Sequence, residues 1–122
     1  MAAIVASPKE CCGLLLGQNL RVSNYLKANN VADNPERHFE IDPAVLIAAE
    51  RAARCDGPDI LGYFHSHPTG NTEPSTTDAK NAAPDGRIWL ILNGSEASAW
   101  RAVEDGEIFD RFEPISLECK DA

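Results

Sequence analysis

The side chains with the greatest chemical potential stand close together, in Gly62-Tyr63-Phe64-His65-Ser66-His67-Pro68 and then Pro74-Ser75-Thr76-Thr77-Asp78. Side chains two apart on a strand point to the same face, with Cα atoms roughly 6–7 Å apart. His65 and His67 can therefore direct imidazole nitrogens at one ion. Imidazole combined with carboxylate suits zinc. Asp78, in the first turn of a helix after the loop, is placed to return to the same point as third ligand. Such a set leaves a fourth position open for water, as catalytic zinc sites do, whereas structural zinc is usually closed by cysteines. Water held there ionises at about pH 7. A plainer reading competes with this one. Two histidines two apart are a weak pattern, and Ser75-x-x-Asp78 also has the spacing of a helix capping box. Local spacing leaves both readings open, and it offers Glu73, inside the loop, as the nearest candidate for a general base.

Several elements must position these residues. Ile60 to Ser66 reads as a strand stopped by Pro68, and Pro74 to Ala83 as a short helix that exits at Pro84-Asp85-Gly86. Ile88 to Leu92 is continuously apolar, as expected of a strand buried on both faces. Upstream, Cys12 to Leu16 is an apolar run ending in the turn cluster Gly17-Gln18-Asn19, with Leu20 to Ala28 as its hairpin partner. A short extended piece, His38 to Ile41, leads to a helix capped by Asp42, with Pro43 in its first turn. Val45, Ala48, Ala49 and Ala52 are expected to form its apolar face, and Asp56-Gly57-Pro58 to end it. Downstream, Ala97 to Val103 and Glu107 to Phe112 read as antiparallel strands reversing at Asp105-Gly106. A strand-rich order with two inserted helices argues for an α+β fold.

Composition limits the rest. At 122 residues the chain is expected to be a single domain, residues 1–122. A net charge of −8 argues against nucleic acid as a partner, because a phosphate backbone needs clustered positive charge. No apolar run approaches the roughly 20 residues of a membrane span. Cys11, Cys12, Cys55 and Cys119 form no CxxC pair and read as reduced thiols of a cytoplasmic protein. His38 reads as a surface or strand-edge residue, Trp89 and Trp100 as sheet packing, and Tyr63 as packing on the histidine face.

The combined string His65-Ser66-His67, seven residues, Ser75, two residues, Asp78 resembles the signature of the JAMM (MPN-plus) metallopeptidases, small bacterial type. Upstream, Pro8-Lys9-Glu10-Cys11-Cys12-Gly13-Leu14-Leu15-Leu16-Gly17 is similar to that family's glutamate-bearing first strand, and the likeness runs from about Lys9 to Phe112. The resemblance implies an α+β fold with a mixed sheet flanked by helices, of cytidine-deaminase-like architecture. It implies one zinc ion per chain on His65, His67 and Asp78, with Glu10 as general base and Ser75 as donor to the oxyanion. It further implies a metallopeptidase acting after the Gly-Gly tail of a ubiquitin-like protein, with small sulfur carriers as the expected substrates. A non-catalytic module binding a ubiquitin-like partner, or a zinc amide hydrolase of another substrate, are the alternatives. The first would be expected to lack ligands that this chain retains.

Overall fold

The computed structural model describes residues 12–18, 21–28, 41–67, 71–93, 96–116 and 118–119. Seven strands form one mixed sheet in the order β6-β5-β4-β3-β1-β2-β7. They are β1 (Cys12–Gln18), β2 (Arg21–Ala28), β3 (Asp59–Ser66), β4 (Ile88–Leu92), β5 (Ala97–Gly106), β6 (Asp110–Ile115) and β7 (Glu118–Cys119), with helices α1 (Pro43–Arg54) and α2 (Thr76–Asn81). β1 pairs antiparallel with both β2 and β3. The parallel pair β3–β4 is joined through α2, and β4, β5 and β6 follow as an antiparallel meander.

Alternation along the strands splits the core in two. On one face, Leu15, Phe64, Ile88, Leu90 and Leu92 pack together. On the other, Trp89, Ile91, Trp100, Ala102 and Phe112 pack with Ala82 and, from α2, Ala79. All five residues of β4 are buried because both its faces are covered. Burial of each such side chain contributes about 1.5–3 kcal/mol, which makes β4 the axis of the fold. Gly62 lets β3 approach it, since a Cβ there would collide with the Ile88 carbonyl oxygen. The face of Trp89 also carries His65, in register with Ile91.

The α+β expectation and the element order agree with the structure, while several details differ. The Asp42 carboxylate accepts the Ala44 N–H at 3.0 Å and starts α1 as expected. Its inward side, however, is Val45, Leu46, Ala49 and Ala53, whereas Ala48 and Ala52 are exposed. Small alanines hardly define a face, so position against the sheet decides it. The last hairpin does not reverse at Asp105-Gly106. β5 runs through Gly106, and the turn is Glu107-Ile108-Phe109. Fully buried Phe112 sits opposite Ala102, which fixes the register and moves the reversal outward. Gly106 serves close approach, because a Cβ there would strike the Phe112 backbone nitrogen. β7 pairs in parallel with Arg21 and Val22 of β2, a contact that no local pattern announces.

Candidate metal centre

β3 ends in the two histidines. His65 is fully buried on the Trp89 face, with the two rings edge to face at 5.6 Å. His67 lies one residue past the strand, yet its backbone N–H still donates to the Leu92 carbonyl at 2.7 Å and extends the β3–β4 ladder. Both side chains therefore project from the rigid end of a central strand. Asp78 comes from α2, where Ser75 is the N-cap: its Oγ accepts the Asp78 N–H at 3.0 Å, and the Ser75 N–H donates to Asp78 Oδ2 at 2.8 Å. The capping box read from the spacing is thus present. It also serves the centre, because it fixes the Asp78 carboxylate in one orientation.

The donor atoms converge. His65 Nε2 and His67 Nε2 are 3.2 Å apart. Asp78 Oδ1 lies 3.3 Å from His65 Nε2, and Oδ2 lies 3.2 Å from His67 Nε2. Two nitrogens bound to one tetrahedral zinc at about 2.0–2.1 Å stand about 3.3 Å from each other. The observed spacing fits a shared ion of that size. His67 Nδ1 lies 2.9 Å from the Asn71 carbonyl oxygen, which can only accept. Nδ1 therefore carries the proton, and in the neutral ring Nε2 aims a lone pair at the Asp78 carboxylate. The His67 lone pair and the Asp78 carboxylate, turned on one point beside His65, suit a cation, and these three residues could hold a metal ion.

Electrostatics favours the protonation states that ligation would need at His65 and Asp78. Desolvation lowers the pKa of His65 below its ordinary 6.5, against the opposing pull of Asp78, so the ring stays neutral. Burial would raise the pKa of Asp78, but its side-chain contacts with His65 and His67 and the Ser75 N–H together hold it well below the carboxylate range. A neutral imidazole and an ionised carboxylate are what metal ligation needs.

The loop between the histidines and α2 is pinned by residues that the sequence reading did not select. Asn71 Oδ1 accepts the Glu73 N–H at 3.0 Å, and the Asn71 carbonyl orients His67. Thr72 bonds through its hydroxyl to Ser98 at 2.6 Å, and its carbonyl accepts the Trp100 Nε1–H at 3.1 Å. Trp100 is thus more than sheet packing. One signal could have raised this, since a buried indole N–H needs an acceptor. Tyr63 packs as expected: its ring stands edge to face with Trp89 at 5.9 Å, and its hydroxyl accepts from Arg87 at 2.8 Å. Glu73 is exposed at the rim of a cleft of about 540 Å³ that His67 and Ser75 also line. Glu10, His38 and Cys11 lie outside the described residues. Cys12 is buried and Cys55 exposed. Among the described residues no helix is long and apolar enough to cross a membrane.

Residues 2–103 match the family described as prokaryotic homologs of the JAB domain. The chain is 35% identical over 88 residues to a desampylase of Haloferax volcanii, covering 70% of this chain and 63% of that protein. It therefore spans less than two thirds of that relative's length. A Thermus thermophilus protein named as a TtuB-protein conjugate cleaving protease is 36% identical over 102 residues, covering 75% of this chain and 68% of its own. The solved JAB1/MPN domain protein of Archaeoglobus fulgidus superposes with a TM-score of 0.60 at 19% identity, covering 98% of this chain and 88% of that one, a likeness of fold.

Proposed function

The chain belongs to the prokaryotic JAB-domain family, and from that premise we propose that it is a zinc-dependent peptidase cleaving small ubiquitin-like carrier proteins from their conjugates. The observation that carries this reading is the convergence of His65, His67 and Asp78 on one point, with His65 held neutral and Asp78 held ionised. The relatives add the substrate class, since one is named a desampylase and another a protease of protein conjugates. The expected cleavage lies after the carrier's Gly-Gly tail.

His65, His67 and Asp78 would hold the ion. Zinc bound there supplies Lewis acidity, which lowers a water's pKa toward about 7 and polarises the scissile carbonyl. The remaining work falls to the chain. The Asn71 carbonyl holds His67 in one tautomer, and the Trp89 ring packs against buried His65. The Ser75 oxygen accepts the Asp78 N–H, leaving its own hydrogen to donate to the developing oxyanion. Glu10 takes a proton from the attacking water as the C–O bond forms, and delivers it to the departing amine as the oxyanion collapses and the C–N bond breaks. Cys12, two residues after Glu10, pairs with His65. That pairing supports Glu10 in this role, since it precedes by two residues a strand that pairs with the histidine-bearing one. Glu10→Gln should keep the metal and slow cleavage of a carrier–protein fusion by about 10²–10⁴-fold. Hydrolysis near the wild-type rate, with zinc content unchanged, would remove Glu10 from the mechanism.

A further inference from the structure

We propose that the cleft between the metal centre and the β5–β6 turn is the subsite for the amine side of the scissile bond, and that it accepts a lysine-bearing segment rich in positive charge. This inference rests on the hydrolase reading above and deepens it. The cleft, of about 540 Å³, has His67, Glu73 and Ser75 on one wall and Glu107, Ile108 and Phe109 on the other. It is thus continuous with the centre on the side where His67 meets solvent.

The far wall is built to display an aromatic ring. Phe109 is 53% exposed and has φ 52°, followed by Asp110 at φ 55°. Side chains other than glycine rarely occupy that left-handed region, and a bulky one does so only where the surroundings enforce it. Here they do. Ile108 N–H donates to the Phe112 carbonyl at 2.9 Å, and Arg111 and Phe112 N–H both donate to the Ile108 carbonyl at 3.0 Å. The turn is locked, and the ring stays at the cleft rather than folding onto the sheet. Among the described residues the other large exposed hydrophobics, Tyr25, Leu26 and Ile47, do not line it.

Charge selects the occupant. Glu73 and Glu107 both line the cleft, and no lysine or arginine among the described residues does. Hydrolysis leaves a carboxylate on the carrier fragment and an ammonium on the other. Two carboxylates repel the former and attract the latter. A glycine tail offers no side chain to an aromatic wall, whereas a lysine or arginine stem can lie on Phe109 and Ile108 with its head toward the glutamates.

The test uses the zinc-loaded full chain and two labelled peptides of equal length, each with a central lysine flanked by arginines or by glutamates. The same peptides are also joined through that lysine to a peptide ending in Gly-Gly. Binding is read by fluorescence anisotropy and cleavage as kcat/KM. The arginine peptide should bind, and its conjugate should be cleaved, about five- to tenfold better, as expected of two exposed ion pairs and a stem contact. Glu107→Lys should erase or invert that ratio. Phe109→Gly, whose backbone accepts φ 52° freely, should weaken both peptides without lowering the melting temperature. Cleavage indifferent to flanking charge, or a ratio untouched by Glu107→Lys, would overturn the subsite and leave the hydrolase reading intact. Failure to cleave either conjugate, with zinc bound, would overturn both the hydrolase reading and the amine-side assignment.

Discussion

Replacing Asp78 with asparagine probes the centre with the least disturbance of the fold. The amide keeps the shape of the carboxylate. Its oxygen can still accept the Ser75 N–H, which lies 2.8 Å from Oδ2, and its NH₂ then takes the Oδ1 position, 3.3 Å from His65 Nε2. The metal-free variant should therefore fold, with the capping box intact. What is lost is the one negative charge of the three-residue ligand set. A ligand present at one hundred times its Kd stabilises the folded state by about 2.7 kcal/mol. Unfolding entropy near 2.1 cal/mol/K per residue, over 122 residues, amounts to about 0.25 kcal/mol per degree, so the expected rise in Tm is about 10 °C. Thermal melts of chelator-treated protein, with and without added zinc and beside elemental analysis, measure this directly. Wild type should gain about that much, and Asp78→Asn little or nothing. An equal gain in both proteins would show that the ion sits elsewhere, and no gain in wild type would refute the ligand geometry.

Trp100→Phe removes the N–H that bonds the Thr72 carbonyl and strands a buried acceptor, at a cost of about 1–3 kcal/mol in stability by denaturant melts. Because that bond anchors the loop whose Asn71 orients His67, zinc affinity should fall as well; an unchanged zinc Kd would separate the loop from the centre. Ser75→Ala removes the N-cap of α2 and should cost about 1 kcal/mol, with Ser75→Thr restoring most of it; unchanged stability in the alanine variant would deny the cap its role. Metal-free protein should lose stability on acidification. Below 6.5 the unfolded chain protonates His65 while the buried ring resists, and below 3.8 the same holds for Asp78, so in both windows the unfolded state binds more protons and stability falls with pH. Denaturant melts between about pH 7 and about pH 5 that show no change would contradict the buried, neutral His65.

The sequence by itself determined the chemistry and its local scaffold. Period-two alternation put His65 and His67 on one face at a strand end, Asp42-Pro43 and Ser75-x-x-Asp78 announced two helix starts, and the apolar run Ile88 to Leu92 announced a central strand. These signals are legible because each depends on residues within one or two turns of chain. Spacing alone could not choose between a cap and a ligand for Asp78, and the structure makes the two compatible, since the capping box is what aims the carboxylate. Tertiary structure alone decided the rest. The reversal at Glu107-Ile108-Phe109 follows from burying Phe112 opposite Ala102, the inward face of α1 follows from where the sheet lies, and β7 finds β2 from the far end of the chain. The hold of Ser98 and Trp100 on Thr72 joins segments 26 and 28 residues apart. Such contacts are selected by how much apolar surface the whole arrangement buries and by which buried polar groups must find partners. Neither quantity exists until the chain has folded.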